Sequence, residues 1–389
     1  MAERQASTTH RWADRVLVAL FLLVICLPTA DQVLRLDHTR PPEEKRVLAP
    51  LPKLQFTTIA ELPRSWESYY NDHFGFRNRL VRLYNFLMVF WLHTSPSPQI
   101  VLGRHGFLFY AGDDAVDYYR GVRPFTHEDL VYRQRILEER RYWLARRGIR
   151  FLVVVAPSKE TIYPEYMPRQ LNRVSRESRL DQLLRHLAAN SNVEVLDLRG
   201  PLREGKRRMQ VYDSTDSHWG GYGAFIAYHE IMSRVARWYP EAKPLPLSAF
   251  QLTRCVGAGD LSREIGLEQF LQGEHIRVTP RASRPARKRN PYPPIRLPDG
   301  WKLMPMVEER PGAGLPRAVM FRDSFAVSLI PLLSEHFRRI TYLTEYRLDV
   351  LAIEFEHPDV VILEIAERRL MLPDTFPSNA PVVRRAGEK

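Results

Sequence analysis

The chain has 389 residues, 44% apolar, 26% charged and 11% aromatic, which excludes a disordered or fibrous protein and allows one large α/β domain with an appendage or two modest domains. Its formal net charge of +12 attracts phosphates, anionic lipids or acidic polysaccharides, but no zinc-finger spacing, Gly-rich RNA-binding signature or aromatic-basic repeat points to nucleic acid. The two cysteines, Cys26 in an apolar N-terminal run and Cys255 far downstream, make no disulfide framework.

In chain order, Arg4, Arg11 and Arg15 precede an unbroken apolar run, Val16–Leu27, followed by Pro28, Thr29 and Ala30. A positive flank ahead of such a run holds the N-terminus in the cytoplasm and sends the rest of the chain across the membrane. The run alone is shorter than the ~20 residues a span requires. Trp12 on one side and Gln32–Leu36 on the other extend it toward the interfaces. The expected organisation is a cytoplasmic tail (1–15), a single-pass anchor in the inner membrane (16–36), a polar, proline-bearing linker (37–58) and an extracytoplasmic, periplasmic domain (59–389). A cleavable signal peptide ending at Ala30 competes with the anchor, although Pro28 suits its cleavage site poorly. Either way the body of the protein is exported.

Apolar residues recur at helical intervals on both sides of Gly75 within Ile59–Leu92, predicting two helices that meet at a turn. Val101–Tyr110 reads as a β-hairpin around a Gly-bearing turn. Leu130, Ile136, Leu137, Trp143 and Leu144 share a helix face that Gly148 can end. Phe151–Val155 is a continuous apolar strand, as parallel strands buried on both faces are. Leu180, Leu183, Leu184 and Leu187 mark another helix, and Val193–Leu198 the next strand. Ala318–Phe321, Ile340–Leu343 and Val360–Leu363 are three further strand candidates. This rhythm predicts an α/β fold, a mainly parallel sheet with helices on both faces. Arg281–Arg296 interrupts it with six Lys/Arg, no acid and four prolines, the composition of an exposed basic loop.

Two stretches carry candidate chemistry. In Asp213–Gly223, the Asp216-Ser217-His218-Trp219 segment sets a carboxylate beside an imidazole, the pair that orients and charges a general base. Helix capping by Asp213 or Ser214 is the plainer alternative. A metal centre is less supported, because no second His/Asp cluster has matching spacing. In Ala318–Phe325, a short strand runs into a polar turn with Ser324 at its apex and an apolar helical stretch, Phe325–Phe337, behind it. That arrangement raises a hydroxyl above the sheet edge beside free helix-N-terminal amides that can bind an oxyanion. Taken alone, Asp323 or Ser324 reads more readily as a helix cap than as part of a site. Together the two stretches supply a serine, a histidine and an aspartate, a hydrolase or acyltransferase set. Lys159 and Arg368, each following a predicted strand, are candidate substrate contacts or plain surface charge. Trp219 and Tyr212 can pack on sugar rings or line the core, and Arg322 completes the candidate substrate-binding set.

The motifs Asp216-Ser217-His218-Trp219 and Arg322-Asp323-Ser324-Phe325 resemble the signatures of the alginate O-acetyltransferase AlgJ/AlgX group within the SGNH-hydrolase-like proteins. Tyr70–Phe74, Leu102–Tyr110, Pro157-Ser158-Lys159, Gly259-Asp260-Leu261 and Glu364–Arg368 extend the likeness from about residue 40 to 370. The resemblance implies an SGNH-hydrolase-like fold with Asp216 as orienting carboxylate, His218 as general base and Ser324 as acyl-carrying nucleophile. Ordinary SGNH hydrolases place the serine block first and an Asp-x-x-His block last. The inverted order and the Asp-x-His spacing here agree with the acetyltransferase group. Arg322 departs from the glycine that precedes Asp-Ser in many relatives. Little chain follows Arg369, which fits the single-domain, anchored type. The resemblance further implies acetyl transfer to hydroxyls of an extracytoplasmic polysaccharide, with an integral-membrane acyltransferase as donor. No cofactor is implied, and no Gly-rich nucleotide loop is present. A polysaccharide acetylesterase with the same triad, or a non-catalytic scaffold of an export complex, remain open alternatives.

Overall fold

The computed structural model describes residues 2–43, 47–53, 60–282, 286–289, 295–296, 302–303, 305–310 and 314–376. Its contacts divide the chain into two units, residues 1–97 with 262–270, and residues 98–261 with 271–389.

In the first unit a helix runs from Ala2 to Leu34. Its 21-residue stretch Trp12–Gln32, exposed along most of its length though buried at Asp31, is long and apolar enough to cross a membrane. At 1.5 Å per residue such a stretch covers about 31 Å, the thickness of a hydrocarbon core. The helix passes through Pro28, where the sequence predicts the apolar run to stop; a proline within a bilayer-spanning helix is tolerated when other groups take over the freed carbonyl. The predicted pair of helices follows as Leu62–His73 and Arg77–Phe90. Gly75 is required at their turn, since a Cβ there would lie 2.0 Å from the Pro28 carbonyl oxygen. Beside it Phe76 adopts φ +60°, and its N–H donates to Asp31 Oδ2 at 2.8 Å. Of the predicted linker, residues 44–46 and 54–58 lie outside the described residues, and the remainder is non-helical.

The second unit opens with the predicted hairpin, β1 (Ile100–Leu102) and β2 (Leu108–Tyr110). Then come β3 (Arg150–Ala156), β4 (Val195–Asp197), β5 (Phe250–Gly257), β6 (Gly273–Pro280), β7 (Arg287–Arg289), β8 (Ile295–Arg296) and β9 (Lys302–Leu303). The last four are β10 (Met306–Glu309), β11 (Arg317–Phe321), β12 (Arg339–Leu343) and β13 (Val360–Ala366). One seven-stranded sheet has the order β4-β3-β13-β11-β12-β10-β7. Its first five strands are parallel, and β10 and β7 continue it antiparallel.

Side chains alternate across a strand, and here that alternation sorts two cores. Leu152, Val154, Met320 and Ile362 face one, where helix Gly221–Val235 contributes Phe225, Tyr228, Ile231 and Met232. Phe151, Val153, Val319 and Leu363 face the other, against helices His127–Ala145, Arg179–Asn190 and Val350–Glu356. Burial on both faces is why these strands read as continuous apolar runs. Capping boxes start two of the helices, Thr126 with Asp129 and Ser178 with Asp181.

Two expectations change. Within Arg281–Arg296, expected as a loop, Arg287–Arg289 form edge strand β7, with Arg287 opposite Glu309 and Lys288 opposite Glu308. Cross-strand opposite charges favour that register, and basic residues suit a sheet edge; the acids come from a strand that local composition does not see. Residues 283–285 and 290–294 of this stretch lie outside the described residues. The single helix expected over Phe325–Phe337 is instead three short pieces, Ser324–Ser328, Ile330–Leu333 and Ser334–His336. Pro331 explains the break, because its ring clashes with the carbonyl four residues back in a continuous helix.

Candidate active site

The chain after β11 turns sharply at Arg322-Asp323-Ser324. Asp323 shapes the turn: Oδ1 accepts the Phe325 N–H at 2.8 Å, while Oδ2 accepts the Tyr346 hydroxyl at 2.8 Å and the Ala366 N–H at 2.7 Å. Ser324 is left exposed at the start of a short 3-10 turn. The sequence predicts free amides here, but two are committed, Phe325 N–H to Asp323 and Asp323 N–H to Glu364 Oε2 at 3.0 Å. Among the described residues the Ser324 N–H meets no backbone acceptor.

The second loop reaches Ser324 from across the sheet edge. His218 Nε2 lies 2.8 Å from Ser324 Oγ, and His218 Nδ1 lies 2.9 Å from Asp216 Oδ1. That same Oδ1 accepts the His218 N–H at 3.0 Å, a local Asp turn that a one-residue spacer permits. Asp216 Oδ2 accepts the Asp260 N–H at 3.0 Å. Burial opposes the charged form of Asp216, but the hydrogen bond and charge of His218, with these backbone N–H groups, hold its carboxyl well below the usual carboxylate range.

Asp260 supports the loop from outside. It accepts the Ser217 N–H at 2.7 Å and the Ser217 hydroxyl at 2.6 Å, and Ser217 Oγ lies 3.2 Å from His218 Nδ1. Gly259 is needed for this approach, since a Cβ there would sit 2.3 Å from the Asp216 nitrogen. Asp216, His218 and Asp260 place three potential metal-ligand atoms within 4.8 Å of one another, a cluster that linear spacing conceals. A cation binding there would displace the hydrogen bond that orients His218.

Other candidate residues take different places from those expected. Lys159 is a buried strut and does not face substrate: its ammonium donates to the carbonyls of Leu108 (2.7 Å), Ser214 (2.7 Å) and Asp216 (2.8 Å). Burial pulls it down to about 7 against the pull of Asp216, Asp260 and Asp213; three N–H bonds to three carbonyls nevertheless require the protonated amine. Trp219 is buried too, donating to the Phe325 carbonyl at 3.1 Å and Ser328 Oγ at 2.7 Å, with its ring edge-on to Phe325. It braces the two loops and offers no platform to a sugar. Arg322, in the place of the family's glycine, is buried and donates to the Asp323 carbonyl at 3.0 Å. Arg368 pairs with Asp113 at 3.3 Å, and its guanidinium lies 5.3 Å from the centre of the Phe325 ring. It stays beside the site.

Residues 100–292 match the model of the SGNH hydrolase-like domain of the acetyltransferase AlgX. This match and the AlgJ relatives support the AlgJ/AlgX-like family for this chain. It is 25% identical over 175 residues to the probable alginate O-acetylase AlgJ of Azotobacter vinelandii, covering 45% of this chain and 43% of that protein. It is 25% identical over 221 residues to the probable alginate O-acetylase AlgJ of Pseudomonas syringae pv. tomato, covering 55% and 54%. The chain thus spans about half the length of the curated relatives it matches. The structure of Bacillus cereus PatB1 shares the fold, with TM-score 0.53 and 15% identity over 72% of this chain and 98% of that one.

The site also rests on buried acids, of which Glu364 lies in a stretch that carries the family likeness and Glu160 in none. Glu364, fully buried on β13, accepts from Asp323, whose neighbouring charge, after burial itself, raises its carboxyl well above the usual range. Glu160, next to Lys159, is pushed up to about 7 by burial, with Glu367 adding to the rise and Arg368 opposing it. Its raised value has a testable sign. Between about pH 4.5 and 7 the folded chain holds a proton on Glu160 that the unfolded chain has released, so stability falls as pH rises through that window. Glu160→Gln should flatten denaturant-unfolding stability across this window. Above it the variant should be more stable than the parent by about 2–3 kcal/mol. An unchanged slope would assign the dependence to another group.

Proposed function

We propose that the chain is a membrane-anchored, extracytoplasmic O-acetyltransferase that carries an acetyl group on Ser324 to hydroxyls of a polysaccharide. The observation that carries the reading is the continuous hydrogen-bond path from exposed Ser324 Oγ through His218 to Asp216. Ser324 Oγ attacks the acetyl carbonyl of the donor as its proton passes to His218 Nε2. The tetrahedral oxyanion meets the Ser324 N–H, and the donor's leaving oxygen takes the proton as its bond to the acetyl group breaks. A sugar hydroxyl then repeats the steps in reverse, giving its proton to His218 while Ser324 leaves and recovers one. Asp216 keeps the ring in the tautomer that accepts at Nε2 and steadies the imidazolium. No cofactor is consumed.

The names of the AlgJ relatives support a polysaccharide acceptor, and the span Trp12–Gln32 supports an inner-membrane anchor with the second unit outside. An exported site does not meet cytosolic acetyl-CoA, and the resemblance to the AlgJ/AlgX group implies an integral-membrane acyltransferase as donor. The exposure of Ser324 also admits water, and an acetylesterase would use the same residues. Supplying a chromogenic acetyl ester with and without glycan separates the two. A transferase moves acetyl onto the glycan in preference to water, whereas an esterase releases acetate at the same rate in both.

A further inference from the structure

We propose that the outward face of helix Arg77–Phe90, continued by Trp91, lies in the lipid surface where the N-terminal helix leaves the membrane. This rests on reading Ala2–Leu34 as an anchor. Leu80, Leu83, Tyr84, Leu87 and Trp91 are all exposed, Trp91 to 77%, and their spacing puts them on one helix face. The opposite face is satisfied inside the same unit: Asn85 donates to the Ile265 carbonyl at 2.8 Å, Arg82 pairs with Glu268 at 2.7 Å, and Phe86 packs on Phe270. The outward stripe is therefore not a core face left over from folding.

The depth of this helix is set by its first turn. Gly75 sits against the Pro28 carbonyl, and Phe76 N–H is bound by Asp31; Pro28 and Asp31 lie at the C-terminal end of the span Trp12–Gln32. The helix consequently starts at the level where the anchor reaches the headgroups. A contiguous apolar stripe is rare on a soluble surface, and Leu with Trp and Tyr beside basic residues is the composition of a helix lying in an interface. With no acid in the helix and with Arg77 and Arg79 in its first turn, Arg79 also pairing with Asp37 at 2.8 Å, this end of the stripe matches an anionic lipid surface. The preceding helix adds exposed Trp66 and Tyr70.

The test uses the full chain in vesicles of phosphatidylethanolamine and phosphatidylglycerol. Cys26 and Cys255 are replaced by Ser, and an environment-sensitive fluorophore is attached to Leu87→Cys or, separately, Trp91→Cys. The expected result is blue-shifted emission that is quenched when the vesicles include lipid carrying a nitroxide just below the headgroup. Adding Leu80→Glu and Leu83→Glu should move the Trp91→Cys label into water without changing the unfolding midpoint. Water-like, unquenched emission from a chain that resists alkaline carbonate extraction would overturn the proposal while leaving the anchor intact. A label shielded in native membranes yet unquenched in lipid alone would assign the face to a protein and equally overturn it. Extraction by carbonate would remove the anchor reading itself.

Discussion

Replacing Ser324 with Ala should lower acetyl transfer by about 10⁴-fold or more, with stability changed by no more than about 0.5 kcal/mol. The hydroxyl is exposed and its recorded bond is to His218, so its loss leaves the fold untouched. His218→Ala should cost as much, and the double variant little more, because residues that act as one unit are not additive. Asp216→Ala should keep the most activity of the three. Asp260 Oδ2 stands 3.8 Å from His218 Nδ1 and can take over part of the orienting role. Steady-state rates with a soluble acetyl ester measure all four variants. A folded Ser324→Ala protein turning over at the parent rate would contradict the mechanism.

Lys159→Met should destabilise the second unit by about 3 kcal/mol or more and abolish activity. The carbonyls of Leu108, Ser214 and Asp216 would lose their shared donor; Ser214 keeps the Leu108 N–H at 2.8 Å, but each unsatisfied buried group costs about 1–3 kcal/mol. Two of the three belong to the loop that presents Asp216 and His218, so the base would drift from Ser324 even where the chain still folds. Urea unfolding and the rate of ester cleavage read the two effects separately. A variant with parental stability and rate would show that the loop holds itself.

The architecture was legible where the signal is local. The apolar strands Phe151–Val155 and Val360–Leu363 are continuous because both sheet faces are covered, and that burial is written directly in their composition. The Asp216-x-His218 pair and the turn at Ser324 were visible for the same reason, each being a short motif whose geometry lies within a few residues. Hairpin β5–β6 left no such trace. Apart from buried Phe250 and Ile276, its strand positions are exposed or half-buried and include Arg254, Glu274 and Arg277, so little sets them apart from a polar connection. Lys159 and Trp219 were legible as residues but not as roles. A lysine after a strand and a tryptophan after a histidine look like ligand contacts until burial shows that their donors are spent on the protein's own carbonyls and hydroxyls. Asp260 and Glu364 stand in stretches that carry the family likeness, but their partners lie far along the chain and no local pattern announces such pairs.

The central claim is that Ser324 carries the acetyl group. Intact-mass measurement of the chain after rapid mixing with an activated acetyl ester, followed by peptide mapping, tests it most directly. The expected result is a mass increase of one acetyl group located on Ser324. That increase should be absent in Ser324→Ala and discharged when a glycan acceptor is added. Acetyl turnover with no adduct on Ser324, or an adduct that persists in Ser324→Ala, would contradict it.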